Sequence, residues 1–137
     1  MSSAPGPSSP DVVGYRSGVC NIGPEEIARR RKAGHAGLIV SVVVLAALMS
    51  AAAPHWMRLV LVLTVGGSAS GYLQAWFHFC AGFGLSGVYN LGPLGTVERV
   101  ADPGARLRDR LKSLRIGAAS LAIGLAAGVG AALLPIR

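Results

Sequence analysis

Two cysteines and three histidines are the side chains best suited to chemistry in this 137-residue sequence. Cys20 precedes the cluster Arg29-Arg30-Arg31-Lys32, and Cys80 closes the run Phe77-His78-Phe79-Cys80. A thiol acts as nucleophile or metal ligand only as the thiolate, which nearby cations favour. Arg16 and Arg29, on either side of Cys20, would supply that field. With His35 and His78, the two thiols form a donor set suited to persulfide, redox or soft-metal handling. The plainer alternatives are that each cysteine packs as a small hydrophobe and that His35 snorkels to an interface. His78 then serves as polar glue between helices, or sits on a proton or ligand path. The choice depends on the elements that carry these residues.

About half the sequence is hydrophobic (52%) and 14% is charged, a composition that leaves too little polar surface to cover a soluble core of this size. Lipid removes that need. Three long uncharged runs follow from the sequence: 33 to 53, 59 to about 85, and 116 to 136. Twenty helical residues span about 30 Å, the thickness of a bilayer core. The expected fold is therefore an all-α integral membrane protein with three transmembrane helices. Residues 1–14, rich in Pro, Ser and Gly, read as a disordered tail. Residues 15–90 read as an approach helix plus a two-helix hairpin, the approach helix starting at Pro24-Glu25-Glu26. Residues 91–115 read as a basic loop containing a short amphipathic helix on the membrane surface, with Leu107, Leu111 and Leu114 on its apolar side. Residues 116–137 carry the third span.

Arginine and lysine fix the orientation. Eleven precede the first span or lie between the second and third, and two, Arg58 and Arg137, lie on the other side. The positive-inside rule places the N-terminus and the basic loop in the cytoplasm and the C-terminus outside. Trp56 and Arg58 suit the opposite interface. With a rise of about 1.5 Å per residue, Cys80 falls near the inner end of the second helix. Cys20, Cys80, His35 and His78 are thus expected in one slab. His78 and Cys80 are separated by roughly 200° around a helix, which disfavours a single metal site on an unbroken helix.

Helix faces supply the packing candidates. Gly67, Gly71, Gln74, His78 and Gly82 follow four- and three-residue steps on the second helix. Gly124 and Gly128 form a GxxxG on the third. Small residues let helices approach closely, and Gln74 and His78 can hydrogen-bond across the contact. Arg29, Arg30, Arg31, Lys32, Arg108, Arg110, Lys112 and Arg115 sit beside spans, where they meet anionic lipid headgroups more economically than nucleic acid. No nucleic-acid partner is expected.

Two motifs around the hairpin resemble the YgaP-like transmembrane domain of small bacterial inner-membrane proteins. Cys20-Asn21-Ile22-Gly23, followed by Glu25 to Arg31 and Gly37-Leu38, is similar to their (C)N(V/I)G motif and approach helix. "HFCAGFGLSGVYN" is similar to their GFCPLYxxLGIxT motif, with Ala81 in place of its proline. The likeness covers residues 18–90, and the third span and basic loop are additions. It implies a membrane hairpin that tends to self-associate, and it places the two cysteines in recurring motifs.

Three functions follow from these features. The first is a small non-enzymatic inner-membrane protein, either a homo-oligomer or an accessory subunit of a larger complex. No P-loop, nucleophile elbow or paired carboxylates occur in the sequence. The second is thiol, persulfide, redox or soft-metal handling through Cys20 and Cys80. The third, a passive channel or transporter, has the least support at this length unless the chain oligomerises, and the six acidic residues, all outside the spans, weaken a proton-pump or cation-transporter reading. The sequence identifies no cofactor. The expected partners are membrane lipids and another membrane protein or a second copy.

Overall fold

A computed structural model describes residues 14–135. The sequence-based tail, residues 1–14, and the terminal Arg137 lie outside the described residues apart from Gly14. The chain is helical: α1 (Pro24–Ser50), a 3-10 turn (His55–Val60), α2 (Leu61–Phe77), α3 (Ala81–Ser86) and α4 (Pro103–Leu133), with a two-stranded antiparallel pair, β1 (Val88–Tyr89) and β2 (Glu98–Arg99). Three segments are long and apolar enough to cross a membrane: Pro24–Ser50, His55–Phe77 and Pro103–Leu133. The protein is an all-α membrane protein.

The helix boundaries have local causes. Pro24 opens α1 and Glu25 and Glu26 occupy its first turn, where a fixed φ and negative charge both suit a helix N-terminus. The far end of α1 closes in a Schellman arrangement. Ala52 adopts φ +51°, Ala53 N–H reaches Leu48 O, and Ala52 N–H reaches Met49 O. Pro54 then prevents continuation. The approach helix runs without a break into the first span, as its start at Pro24 implies, and together they are α1. The surface helix expected from the sequence is not separate; it is the basic start of α4, because no proline interrupts residues 104–133.

The chain divides into two compact units. One contains Arg29–Leu73 and the chain from Arg115 onward. Inside it, glycines bring α2 against both neighbours. A Cβ on Gly37 would lie 2.9 Å from the Ser68 Cα, and one on Gly71 would lie 2.6 Å from Gly34 N. Ser68 Oγ donates to Gly34 O at 2.7 Å. On the other side, Gly124 and Gly128 of α4 lie against Val62. Most buried positions are small or polar, including Ser41, Ser68 and Ser120, with Leu61 and Ile116 as larger apolar exceptions, while Ile39, Val42 and Leu63 point outward. Such an arrangement suits a solvent of acyl chains, where close packing and hydrogen bonds, rather than apolar burial, hold helices together. Arg58 is also buried. Its Nη1 donates to Ala131 O (3.0 Å) and Leu134 O (3.2 Å), satisfying carbonyls that the end of α4 leaves open.

The other unit contains the chain up to Ala28 and Gln74–Leu114. Its core is Cys20, Ile22, Phe79, Cys80, Val100 and Ala105, with the polar side chains of Asn21, Glu26, Asn90 and Asp109 buried among them. Here the second span departs from expectation. The uncharged run predicts a helix to about residue 85, but α2 stops at Phe77. His78 takes φ +53°, a conformation that ends a helix and that histidine tolerates better than most residues. After this break α3 starts at Ala81, with Cys80 at its cap, and ends at Gly87 (φ +73°).

Candidate functional site

The most constrained chemistry in the molecule is an asparagine-centred junction in the second unit. Asn21 is fully buried. Its Oδ1 accepts from Cys80 N–H at 2.6 Å and its Nδ2 donates to Cys80 O at 3.1 Å. One side chain thus imitates a strand partner for a single residue. The backbone continues the pairing: Asn21 N–H to His78 O, Asn90 N–H to Asn21 O, and Gly23 N–H to Asn90 O. Gly23 is required by proximity, since a Cβ there would collide with the Leu91 carbonyl.

Asn90, the second asparagine, organises the next loop. Its Nδ2 donates to Pro93 O (3.0 Å) and Glu26 Oε2 (3.4 Å), and its Oδ1 accepts from Gly92 N–H (3.0 Å). Thr96 Oγ1 lies within hydrogen-bonding reach of both Pro93 O and Asn90 Oδ1. The sequence holds only these two asparagines, each followed by an aliphatic residue and glycine: Asn21-Ile22-Gly23 and Asn90-Leu91-Gly92. That repeat is the one sequence signal for the junction, and the spacing of cysteines and histidines does not reveal it. Buried amides with every group matched specify one arrangement of the chain, because any other leaves polar groups unsatisfied.

This junction also decides the cysteines. Both are buried and free, and they are not near each other, so the expected cysteine pair is absent. Cys20 and Ile22, on either side of Asn21, each form an isolated bridge, with Arg16 and Asn90 respectively, and in extended chain successive side chains point to opposite sides. Asn21 takes the place facing Cys80, and Cys20 turns away to donate its thiol to Ile22 O at 3.5 Å. Nor is Cys20 activated. Burial pushes its thiol up, outweighing the hydrogen bond at Ile22 and the field of Arg16, which act in the other direction. We predict that neither thiol is alkylated by a maleimide until the protein unfolds, and that mild oxidation yields no Cys20–Cys80 bond. Rapid labelling of Cys20 in the native protein, read by mass spectrometry, would contradict this.

The histidines separate likewise. His78 is exposed beyond the end of α2, so the expected helix face linking it with Gly67, Gly71, Gln74 and Gly82 does not exist as one surface. His35 pairs with Tyr72 instead, Nδ1 and the phenol oxygen lying 2.6 Å apart. Gln74 Oε1 accepts from Ala81 N–H at 2.9 Å, bracing the break that follows α2. No group of three or more His, Cys, Asp or Glu positioned for a metal occurs among the described residues.

Gly71, Gly124 and Gly128 lie at close helix contacts within the chain, whereas a Cβ at Gly67 would meet nothing within 4 Å. Of the basic residues, Arg29, Arg31, Arg108, Arg110 and Arg115 are exposed, while Arg30 and Lys112 are half-buried. Lys112 Nζ sits 4.2 Å above the Phe77 ring, a cation–π contact, and Arg108 Nε donates to Ser17 Oγ at 2.7 Å.

Asp109 is a further buried anchor, which no sequence motif marks. Its carboxylate accepts from Tyr15 OH at 2.6 Å and Gly18 N–H at 2.7 Å, tying the N-terminal segment to α4. Tyr15 stacks on Tyr89 with centroids 4.6 Å apart. Both rings line a groove of about 530 Å³ with Leu91, Thr96 and Glu98. Burial, followed by the Asp109 hydrogen bond and charge, pushes the Tyr15 phenol well above its ordinary value. The phenol is therefore held neutral in the fold, and its stabilisation is complete below the unfolded value of about 10 and lost as pH rises through the folded one. Tyr15→Phe should cost about 1 kcal/mol at neutral pH and flatten the alkaline decline of stability. An unchanged alkaline profile in thermal unfolding would show that the decline has another source.

No protein-family model, curated protein or solved structure matches the chain.

Proposed function

We propose that the chain is a small non-enzymatic protein of the bacterial inner membrane, acting as an accessory subunit of a larger membrane complex or as a homo-oligomer. The observation that carries this reading is how the side chains are used. Asn21, Asn90, Asp109, Gln74 and Arg58 are each occupied in holding backbone, whereas wide apolar helix surfaces stay exposed. Polar groups build the scaffold, and the outward faces are left for lipid and protein.

In this reading the N-terminus and the basic segment before the third span face the cytoplasm, where Arg29 and Arg31 meet anionic headgroups, and the C-terminus faces outward. The likeness of residues 18–90 to YgaP-like hairpins supports a bacterial inner-membrane setting and association with other helices. The test is native mass spectrometry after mild-detergent extraction from the native membrane. The expected species is heavier than one chain plus its lipids. A lone monomer under every mild condition would refute the reading.

A further inference from the structure

We propose that the outward leucine edge of α4 docks a helix of a different membrane protein, one that carries an apolar heptad seam flanked by acidic residues beyond the bilayer core. The docking rests on the accessory-subunit reading and names the surface that serves it.

Leu107, Leu111 and Leu114 are 56%, 46% and 56% exposed, and the same four- and three-residue steps continue through Ala118 to Leu121 and Leu125, which are also exposed. Alternating steps of three and four form the seam of a left-handed coiled coil. The edge that packs inside the chain is different and consists of Ala105, Asp109 and Ser113, continuing at Ile116, Ser120 and Gly124. The leucines are thus spare apolar surface.

Lipid accounts for only part of that edge. α4 has 31 residues, about 46 Å at 1.5 Å per residue, against a hydrocarbon core of about 30 Å. Leu107 precedes the start of the apolar run at Ile116 by roughly 14 Å of helix. A spanning helix therefore carries Leu107 and Leu111 out of the hydrocarbon, among the basic residues of the same segment. Apolar area held there in a regular seam fits a helix better than a bilayer.

Charge selects the occupant. In seam register, Arg110 and Arg115 hold the flanking positions that face one another across a parallel pair. Two copies of one chain insert in the same orientation, so self-pairing through this edge is parallel. It would set Arg110 of one copy against Arg115 of the other. Like charges there oppose pairing. Arg110 and Arg115 also make no hydrogen bond or ion pair among the described residues, unlike Arg108, which lies 3.8 Å from Asp102. Glu or Asp on the incoming helix converts both repulsions into attractions.

The test uses the full chain in phosphatidylcholine nanodiscs and two synthetic spanning peptides, read by energy transfer. The peptides share one leucine seam and differ only in carrying Glu or Lys at the flanking positions. The Glu peptide should bind about tenfold more tightly, a preference that shrinks in high salt and in the Arg110→Gln/Arg115→Gln variant. Leu107→Ala/Leu111→Ala should weaken it about tenfold through lost apolar contact. Leu63→Ala, at a 76% exposed position on α2, should leave it unchanged. Equal binding of the two peptides, or binding indifferent to the leucine pair, overturns the proposal. So does self-association that the leucine pair abolishes, which assigns the edge to a second copy, or displacement of the Glu peptide by phosphatidylglycerol, which assigns it to lipid. A native complex that survives Leu107→Ala/Leu111→Ala removes this seam and leaves the accessory reading standing, whereas a lone monomer removes both.

Discussion

Replacing Asn21 with alanine should destabilise the fold by about 2–5 kcal/mol, the largest effect we predict for any single polar side chain here, because it strands two buried backbone groups at once. Those groups are the Cys80 N–H and C=O, bonded at 2.6 and 3.1 Å to the two ends of one amide. Asn21 is 0% exposed, so water cannot replace the amide without opening the junction. Asn21→Asp separates the two hydrogen bonds. It keeps an acceptor for the N–H, loses the donor to the carbonyl, and adds a buried charge. It should therefore be no better than alanine. The measurement is thermal or denaturant unfolding in mild detergent, with helix content as the readout. A loss under about 1 kcal/mol for Asn21→Ala would mean that the junction is wet or loosely held, contrary to its burial.

The second large effect belongs to Gly124. A Cβ at this position would collide with the Val62 carbonyl and approach Gly66 N to 3.1 Å. These are backbone atoms of a packed helix and cannot rotate aside. We predict that Gly124→Ala costs about 2–3 kcal/mol through overpacking, and that Gly124→Ile separates α2 from α4. Gly117 and Gly130 provide the internal control, because a Cβ at either meets nothing within 4 Å. Alanine there should be neutral or stabilise by up to about 1 kcal/mol, since glycine is a poor helix residue. A GxxxG motif alone suggests that a Gly124 substitution changes oligomer size. The structure puts Gly124 at a contact inside one chain, so lost monomer stability should come first. If Gly124→Ala and Gly117→Ala behave alike, α2 and α4 do not approach as closely as a backbone contact at Gly124 requires.

Much of this protein is legible in its sequence. Three spans follow from length and hydropathy alone, because a bilayer demands about twenty uncharged helical residues wherever the chain crosses it. The start of α1 is equally readable, since proline at the first position and acids in the first turn act through local backbone geometry and the helix dipole. The end of the second span is not. His78 breaks α2 by taking a left-handed conformation, and nothing within the apolar run 59–85 marks that position. The break holds because Gln74 binds Ala81 N–H and Asn21 binds the Cys80 backbone, and Asn21 comes from a segment 59 residues away in sequence.

The cysteines show the same divide. The segments that carry them do meet at one junction, but the residue that joins them is Asn21, the neighbour of Cys20. Hydropathy and topology place residues in a slab of membrane. Only pairing register decides which of two adjacent side chains faces inward, because in extended chain a shift of one residue reverses every side chain. By itself, then, the sequence determined that the chain crosses a membrane three times, since that depends on transfer of local segments from water to lipid. The tertiary structure decided which polar groups the fold consumes and which helix edge it leaves open, since hydrogen-bond satisfaction and close packing are settled only between segments distant in the chain.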